Sequence, residues 1–214
     1  VQPGPEGAAT LEGGQAAQRV DPSRGEDVAG YLMSTHGKGL TASGLLVTAT
    51  CSSCHGAHEV LPASDPASRV SDARVADTCG ACHYGIEEQF LTSIHSPLNT
   101  ETEERLPTCK DCHSSHSISR IDADSFRFGM LQQCGECHER EAESFYDTLH
   151  GKASRLGTLK AAKCFDCHGT HAILPASHPD STLSEANVIA TCGSCHSGAH
   201  RQFTGFLTHA THKD

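Results

Sequence analysis

Twelve cysteines of the 214-residue chain fall into six pairs, and every pair has the same spacing. Two residues separate the cysteines of a pair, and a histidine follows the second cysteine directly. No cysteine lies outside this pattern. The six instances are Cys51/Cys54/His55, Cys79/Cys82/His83, Cys109/Cys112/His113, Cys134/Cys137/His138, Cys164/Cys167/His168 and Cys192/Cys195/His196.

This spacing suits one particular covalent chemistry. Two thiols so placed can form thioethers to the two vinyl groups of one porphyrin, and the next residue then offers its imidazole as proximal ligand of the iron. The motifs therefore predict six haem c groups. Paired zinc sites or six disulfides would also use all the cysteines. Neither needs a histidine after every second cysteine, which chance alone would supply roughly once in ten million sequences of this composition.

On these motifs the chain resembles the multihaem c-type cytochromes, from residue 36 to residue 209. It is most similar to class III and doubled Cys-x-x-Cys-His electron carriers, and residues 164–175 also resemble the haem segment of periplasmic tetrahaem quinol dehydrogenases. The resemblance implies a multihaem cytochrome c fold. We expect mostly irregular loops with short α-helices, wrapped around a closely packed haem chain, and little or no β-sheet.

The composition agrees with a chain that needs cofactors in its interior. Only 36% of the residues are hydrophobic, tryptophan is absent, and there are seven phenylalanines and two methionines. Side chains of this kind are too few for an ordinary core. The formal charge of -10 argues against a nucleic-acid partner. No stretch approaches the roughly 18 apolar residues of a membrane-spanning helix, so we expect no transmembrane segment.

The motifs lie on an internal repeat. Residues 51–83 and 164–196 align without a gap at an offset of 113, and a shortened third copy lies between them at Cys109 to His138. We therefore expect a hexahaem domain over residues 28–214, made of three tandem two-haem units at about 36–94, 95–149 and 150–209. We call these units 1, 2 and 3, and each has a first and a second motif.

Residues 1–27 differ from the rest of the chain. They contain no cysteine or histidine and are rich in glycine, alanine, proline, glutamine and glutamate. This composition predicts a flexible or extended tail, which a neighbouring chain could order. Haem attachment of this type takes place outside the cytoplasm, so we expect a secreted precursor whose signal peptide has been removed, and a periplasmic, extracellular or cell-surface location.

A short helix is predicted after each second motif. Phe90, Phe145 and Phe203 each lie seven residues after a proximal histidine, and a further histidine follows five or six residues later. We expect each helix to end at that histidine and each phenylalanine to pack on a porphyrin.

Ten histidines remain to supply the distal ligands. Three follow a first motif as Cys-His-x-x-His and four stand at unit boundaries, which makes seven candidates for six irons. The first set is His58, His116 and His171, and the second is His36, His95, His150 and His209. Spacing favours His36, His95 and His150 for the first haems of the units they open.

The Cys-His-x-x-His imidazoles would then serve the second haems. A register shifted by one unit, in which His209 is an alternate or inter-subunit ligand and His36 is spare, stays open. We expect His178, His200 and His212 to be surface or outer-sphere residues, and axial methionine, from Met33 or Met130, is disfavoured because imidazoles are in surplus.

Six irons with two histidines each leave no open coordination position for a substrate. We therefore expect an electron-transfer protein and not an enzyme: an extracytoplasmic respiratory carrier whose six bis-His haems form a continuous wire. The acidic charge favours basic docking patches on its redox partners. Two alternatives stay open. The chain could be a subunit of a polymeric extracellular cytochrome filament, a nanowire assembled head to tail, or a multihaem oxidoreductase or its electron-donating subunit.

Overall fold

A computed structural model describes residues 23–205 and residue 209. Short α-helices joined by irregular loops make up this part of the chain, and it contains no β-strand. The prediction of a helix-and-loop fold without a sheet is thus confirmed for these residues. The α-helices are α1 Ser23–Met33, α2 Thr35–Thr41, α3 Cys51–His55, α4 Val75–Gly80, α5 Tyr84–Thr92, α6 Cys109–His113, α7 Asp124–Gly135, α8 Glu139–Asp147, α9 Leu149–Arg155, α10 Cys164–His168 and α11 Val188–Gly193, followed by a 3₁₀ helix at Phe203–Gly205.

None of these helices is long and apolar enough to cross a membrane. Helix α1 begins at Ser23, inside the segment that composition assigned to the tail, so residues 23–27 are helical. The rest of the predicted tail, residues 1–22, lies outside the described residues.

The interior holds very few apolar side chains. Within the described ranges, the buried hydrophobic residues are Val75, Leu131, Phe145 and Ala161. The buried polar residues outnumber them and are nine serines and Lys163. Apolar burial normally supplies most of the stabilisation of a folded domain. Side-chain packing alone is therefore a poor source of stability for this fold.

The six cysteine motifs occupy two kinds of helix. The first motif of each unit forms a one-turn helix of its own, namely α3, α6 and α10. At the start of each, the residue before the second cysteine accepts a hydrogen bond from the backbone N–H of the residue before the helix, at 2.6–3.1 Å. These acceptors are Ser53, Asp111 and Asp166. They satisfy an N–H that the helix itself leaves without a partner.

The second motif of each unit begins at the C-terminal end of a helix. Helices α4, α7 and α11 all end at the glycine that follows the first cysteine, which is Gly80, Gly135 or Gly193. A Cβ on Gly80 would lie 1.8 Å from Glu87 Oε2, so the glycine allows α5 to pack closely on α4. The two kinds of motif alternate along the chain and define the two-motif unit.

Hydrogen bonds repeat between units 1 and 3 at the offset that the sequence shows. Ser68 Oγ donates to the carbonyl of Leu61, and Ser181 Oγ donates to that of Leu174, both at 3.2 Å. The repeat also reaches back to the paired helices α1–α2 and α8–α9. We call the bend between the two helices of each pair its corner. There the side-chain oxygen of Ser34 or Thr148 accepts a hydrogen bond from the N–H of the glycine three residues later. The structural repeat is therefore longer than the aligned sequence.

The motif helices pack in the order of the chain. Helix α3 contacts α4, α4 contacts α6, α6 contacts α7, α7 contacts α10, and α10 contacts α11. At the two junctions between units the first cysteines are neighbours, since the thiol of Cys79 shifts the pKa of Cys109 and that of Cys134 shifts the pKa of Cys164. The six motifs thus follow one another in space as they do in the sequence.

The helices after the second motifs end earlier than expected. Helix α5 ends at Thr92, three residues before His95, and α8 ends at Asp147, after which His150 lies in the separate helix α9. In the last of these segments the described residues form a 3₁₀ turn at Phe203–Gly205, and the ring centre of Phe203 lies 5.0 Å from that of His196.

Candidate metal centres

Every proximal histidine faces one other imidazole. The ring centres of these six pairs are 5.9–6.2 Å apart. The pairs are His55–His116, His83–His36, His113–His171, His138–His95, His168–His209 and His196–His150. All six predicted proximal residues thus have one partner each.

This separation fits two axial ligands of one metal ion. A metal–imidazole bond is about 2 Å long, and a ring centre lies about 1 Å behind its nitrogen, so two imidazoles across one metal have centres about 6 Å apart. No group of three or more histidine, cysteine, aspartate or glutamate side chains gathers as a metal site within residues 23–205 and 209.

Burial favours the neutral form of these histidines. It lowers the pKa of His36, His95 and His150, and the positive charge of the facing imidazole lowers each further. The pKa values of His113, His168 and His171 are also lowered, chiefly by burial. A metal binds the unprotonated imidazole. Burial therefore favours, in these six of the twelve paired histidines, the form that ligation requires.

Outer contacts orient two of the distal imidazoles. Nδ1 of His116 lies 2.8 Å from Oδ1 of Asp27 on α1. Nδ1 of His209 lies 3.1 Å from the carbonyl oxygen of Glu141 and 3.0 Å from Oγ of Ser144, both on α8. Metal-bound histidines usually donate the N–H of their other ring nitrogen to a carboxylate or carbonyl. This arrangement leaves Nε2 of both residues for a metal.

The pairing differs from the assignment made on spacing. The boundary residues His36, His95 and His150 face the second motifs of their units, not the first. His116 and His171 reach back to the first motifs of the preceding units. The rings therefore meet in another order than spacing predicted, while the assignment of ligands to haems stays a prediction.

The repeat-placed histidine that faces no other ring also differs from the two, His36 and His209, of which spacing left one spare. Both His36 and His209 have partners, whereas His58 is exposed and faces no other ring in the described part of the chain. His178 accepts a hydrogen bond from the N–H of Asp180 at 3.2 Å, as suits a local structural role. His200 is exposed, and His212 lies outside the described residues.

All twelve cysteines are free thiols, and no disulfide joins them. Two of them are acidified by the thiols they meet at the unit junctions: Cys79 lowers the pKa of Cys109 to about 7, and Cys134 does the same for Cys164. The pKa values of the donating thiols, Cys79 and Cys134, are raised. Each motif thus keeps both sulfurs available for thioether formation.

The predicted thioether cysteines are not all enclosed by the chain. Eight of the twelve are half-buried, and the four exposed ones are Cys51, Cys82, Cys137 and Cys195. The reason is local for three of them, because Cys82, Cys137 and Cys195 are the second cysteines of the second motifs. Their helices end two residues earlier at the motif glycine, so these thiols lie in the surface turn that follows.

The remaining exposed thiol has a different cause. Cys51 opens α3 in unit 1, and its counterparts in units 2 and 3, Cys109 and Cys164, are half-buried. Those two thiols pack against the first cysteine of the preceding motif, whereas no unit precedes Cys51 in the described part of the chain. The exposure of Cys51 is therefore an effect of its place at the end of the row.

Sequence reasoning missed the outer contacts of the distal histidines. Asp27 and Glu141 lie 114 residues apart, the same separation as Ser34 and Thr148 at the two repeated corners. Composition alone assigns Asp27 to the tail. Extending the repeat alignment toward the N-terminus would have identified it.

Comparisons with known proteins give this chain no relative. No protein-family model matches it. No curated protein and no solved structure is significantly similar to it.

Proposed function

We propose that this chain binds six haem c groups and transfers electrons outside the cytoplasm, as a multihaem c-type cytochrome. The observation that carries the proposal is the set of six imidazole pairs, each with one histidine from a Cys-x-x-Cys-His motif. A motif predicts a proximal ligand, and the fold supplies a second imidazole at the separation that one metal requires. Zinc sites or disulfides would give no reason for this pairing.

Each part of the chain has a role toward the cofactor. The twelve cysteines would form thioethers, and the histidines after them would be proximal ligands. His36, His95, His116, His150, His171 and His209 would be distal ligands. When bound, the haems would supply six reversible ferric/ferrous couples. The sparse apolar interior supports the same view, because porphyrins would take the place of the missing core.

The packing order of the motifs supports a continuous wire. Neighbouring motif helices contact each other along the chain from α3 to α11. With 214 residues for six motifs, there are about 36 residues for each haem, which is too little protein to separate them. His116 and His171 also hold the irons of preceding units in this scheme, so ligation ties one unit to the next.

Two imidazoles on each iron favour electron transfer over substrate chemistry, because neither axial position is open. We infer a respiratory carrier that passes electrons between redox proteins. Its acidic surface would attract basic patches on them. The alternatives differ in a measurable way: an oxidoreductase needs an iron with an exchangeable ligand, and a filament subunit needs a contact with its own copies.

The test is electron paramagnetic resonance of the oxidised protein together with a spectroscopic redox titration. We expect six low-spin haems, poor binding of carbon monoxide after reduction, and six electrons taken up per chain. The potentials should lie below those of cytochromes with a His/Met iron, since axial methionine raises the potential. A high-spin signal with the amplitude of one haem would contradict the carrier and favour the enzyme.

A further inference from the structure

The contact between consecutive units has a fixed register that occurs twice. Between units 1 and 2, the N–H of Thr35 donates to the carbonyl of Ile118 at 2.8 Å, and His55 faces His116. Between units 2 and 3, the N–H of Ile94, the residue directly before His95 of unit 2, donates to the carbonyl of Ile173 at 2.9 Å. At the same junction His113 faces His171.

In both junctions the donor precedes a boundary histidine by one residue. The acceptor follows a Cys-His-x-x-His imidazole by two residues. One unit thus offers a corner and a proximal imidazole, and the next unit offers the complementary loop.

Within the described residues, the corner that opens unit 3 and the loop of unit 1 are the two halves of this contact that no other unit matches. The corner residue is Leu149, directly before His150, and its side chain is 83% exposed. Its N–H has no backbone acceptor in the described part of the chain. In unit 1 the loop consists of His58 and Val60, and Val60 is 60% exposed. Unit 1 therefore presents what unit 3 lacks.

Burial of the neighbouring loops leads to the same pairing by a separate route. In unit 3, Lys163 is fully buried and lies over the ring of Phe128 from unit 2, at 5.0 Å, and Leu159 on the same loop is 39% exposed. Among the described residues no unit precedes the equivalent loop of unit 1. There Leu46 is 86% exposed and Val47 is 90% exposed. We call residues 45–50 together with His58 and Val60 the leading face.

His209 occupies the position that a following unit would fill. His116 of unit 2 lies on Asp27 of α1, and His209 lies on Glu141 of α8, the equivalent position in unit 3. His209 comes from the C-terminal end and not from a Cys-His-x-x-His loop. His209 faces His168, the proximal histidine of the first motif of unit 3, where units 1 and 2 have an imidazole from the following unit. We call it the cap of that motif.

We propose that the leading face binds unit 3 of a second copy of this chain, and that His58 replaces His209 of that copy as the distal ligand opposite His168. This inference rests on the proposed haem binding. The exchange replaces one iron–nitrogen bond with another and changes neither oxidation state nor proton count. The contact is heterologous and leaves a leading face free at the other end, so it extends without closing.

His209→Ala tests the proposal in the haem-loaded full chain. It removes the cap, and we expect head-to-tail association, measured by analytical ultracentrifugation, that increases with concentration. At high dilution one haem of the six should be high-spin. As the protein is concentrated and associates, that haem should become low-spin again, because His58 of another chain supplies the ligand. The five other low-spin haems report that the variant is folded.

Two further variants in the His209→Ala background separate ligation from docking. Adding His58→Ala should leave one high-spin haem at every concentration. Adding Leu46→Asp and Val47→Asp, which removes no histidine, should abolish association and leave the same high-spin haem. The matched control adds Leu98→Asp, which alters an exposed leucine of unit 2 instead, and should associate as the His209→Ala parent does.

The proposal is overturned if His209→Ala keeps a high-spin haem at all concentrations, or becomes low-spin as a monomer. It is also overturned if His58→Ala leaves the concentration-dependent recovery intact. Failure of the proposed function would look different, because the wild-type chain would then carry fewer than six haems before any variant was compared.

Discussion

Units 1 and 3 contain the same loop in two different surroundings. The loop at residues 45–50 leads into α3, and its counterpart over residues 158–163 leads into α10. The C-terminal part of the counterpart holds the buried Ala161 and the fully buried Lys163, which lies over the ring of Phe128 on α7. In the loop of unit 1 Leu46 and Val47 are exposed, and Thr50, at the position of Lys163, is half-buried. The backbone is shared, since Gly44 and Gly157 both have positive φ angles at equivalent positions.

The difference teaches that a neighbouring unit, and not the local sequence alone, decides which side chains of a unit are buried. Lys163 donates to three backbone carbonyls, of Thr158, Leu159 and Ala161, and its bond to Ala161 is buried. Unit 1 has Thr50 in the place of Lys163. The imidazoles follow the same rule, since His171 has a partner in unit 2 and His58 has none in the described residues.

The largest effect is expected for His171→Ala. His171 is the imidazole opposite His113, so its loss should change one of six haems from low-spin to high-spin and allow that haem to bind carbon monoxide. Electron paramagnetic resonance and the visible spectrum measure both effects. The control is His178→Ala in the same unit, which should keep six low-spin haems. Identical spectra for the two variants would show that the pair His113–His171 holds no iron.

Lys163→Ala should have a smaller effect, on stability. The change removes the donor to three carbonyls, of which that of Ala161 is buried, and we expect the free energy of unfolding to fall by about 1–3 kcal/mol. Thr50→Ala at the equivalent position of unit 1 should cost below about 1 kcal/mol. Denaturant unfolding measures the difference. Equal losses in the two variants would mean that the two loops have the same surroundings in solution.

Asp72→Asn should have the smallest effect, at the junction of units 1 and 2. Asp72 forms ion pairs with Arg105 and Lys110, which lower its pKa to about 2. Because these groups are largely exposed, the loss should stay below about 1 kcal/mol.

The effect should also depend on pH. The pKa of Asp72 is lower in the folded chain than in the unfolded chain. Its contribution to the free energy of unfolding is therefore present above about pH 4 and is lost as the pH falls through about 2. The free energy of unfolding of wild type and Asp72→Asn, compared at pH 7 and near pH 2, measures it. Glu185→Gln is the control at the equivalent position, since Glu185 pairs within its own unit with Arg201. A difference between wild type and Asp72→Asn that persists near pH 2 would contradict the ion-pair account.

Much of the architecture could be predicted from residue types and spacing. The six motifs locate the short helices that contain them, and the offset of 113 identifies units 1 and 3. The scarcity of large apolar residues predicts the sparse core. These features depend on local sequence, which the chain displays directly.

The pairing of distal histidines could not be predicted in the same way. It depends on backbone hydrogen bonds between units, such as that from Thr35 to Ile118, whose partners lie 83 residues apart. Spacing shows that His36 is near the first motif in sequence, but the corner at Ser34 directs it to His83 instead.

One usable signal was present in the motifs themselves. The residue after the first cysteine is glycine in every second motif and in no first motif, which separates the two kinds of centre. The same glycine ends the helix, and it therefore also marks the motifs whose second cysteine, Cys82, Cys137 or Cys195, is exposed.

The most direct test of the whole account is the intact mass of the mature protein under denaturing conditions. Thioether bonds survive unfolding, so the polypeptide should carry the mass of six haems, with all twelve cysteines consumed. A mature chain with five or fewer haems, or with cysteines that still react as free thiols, would contradict the account.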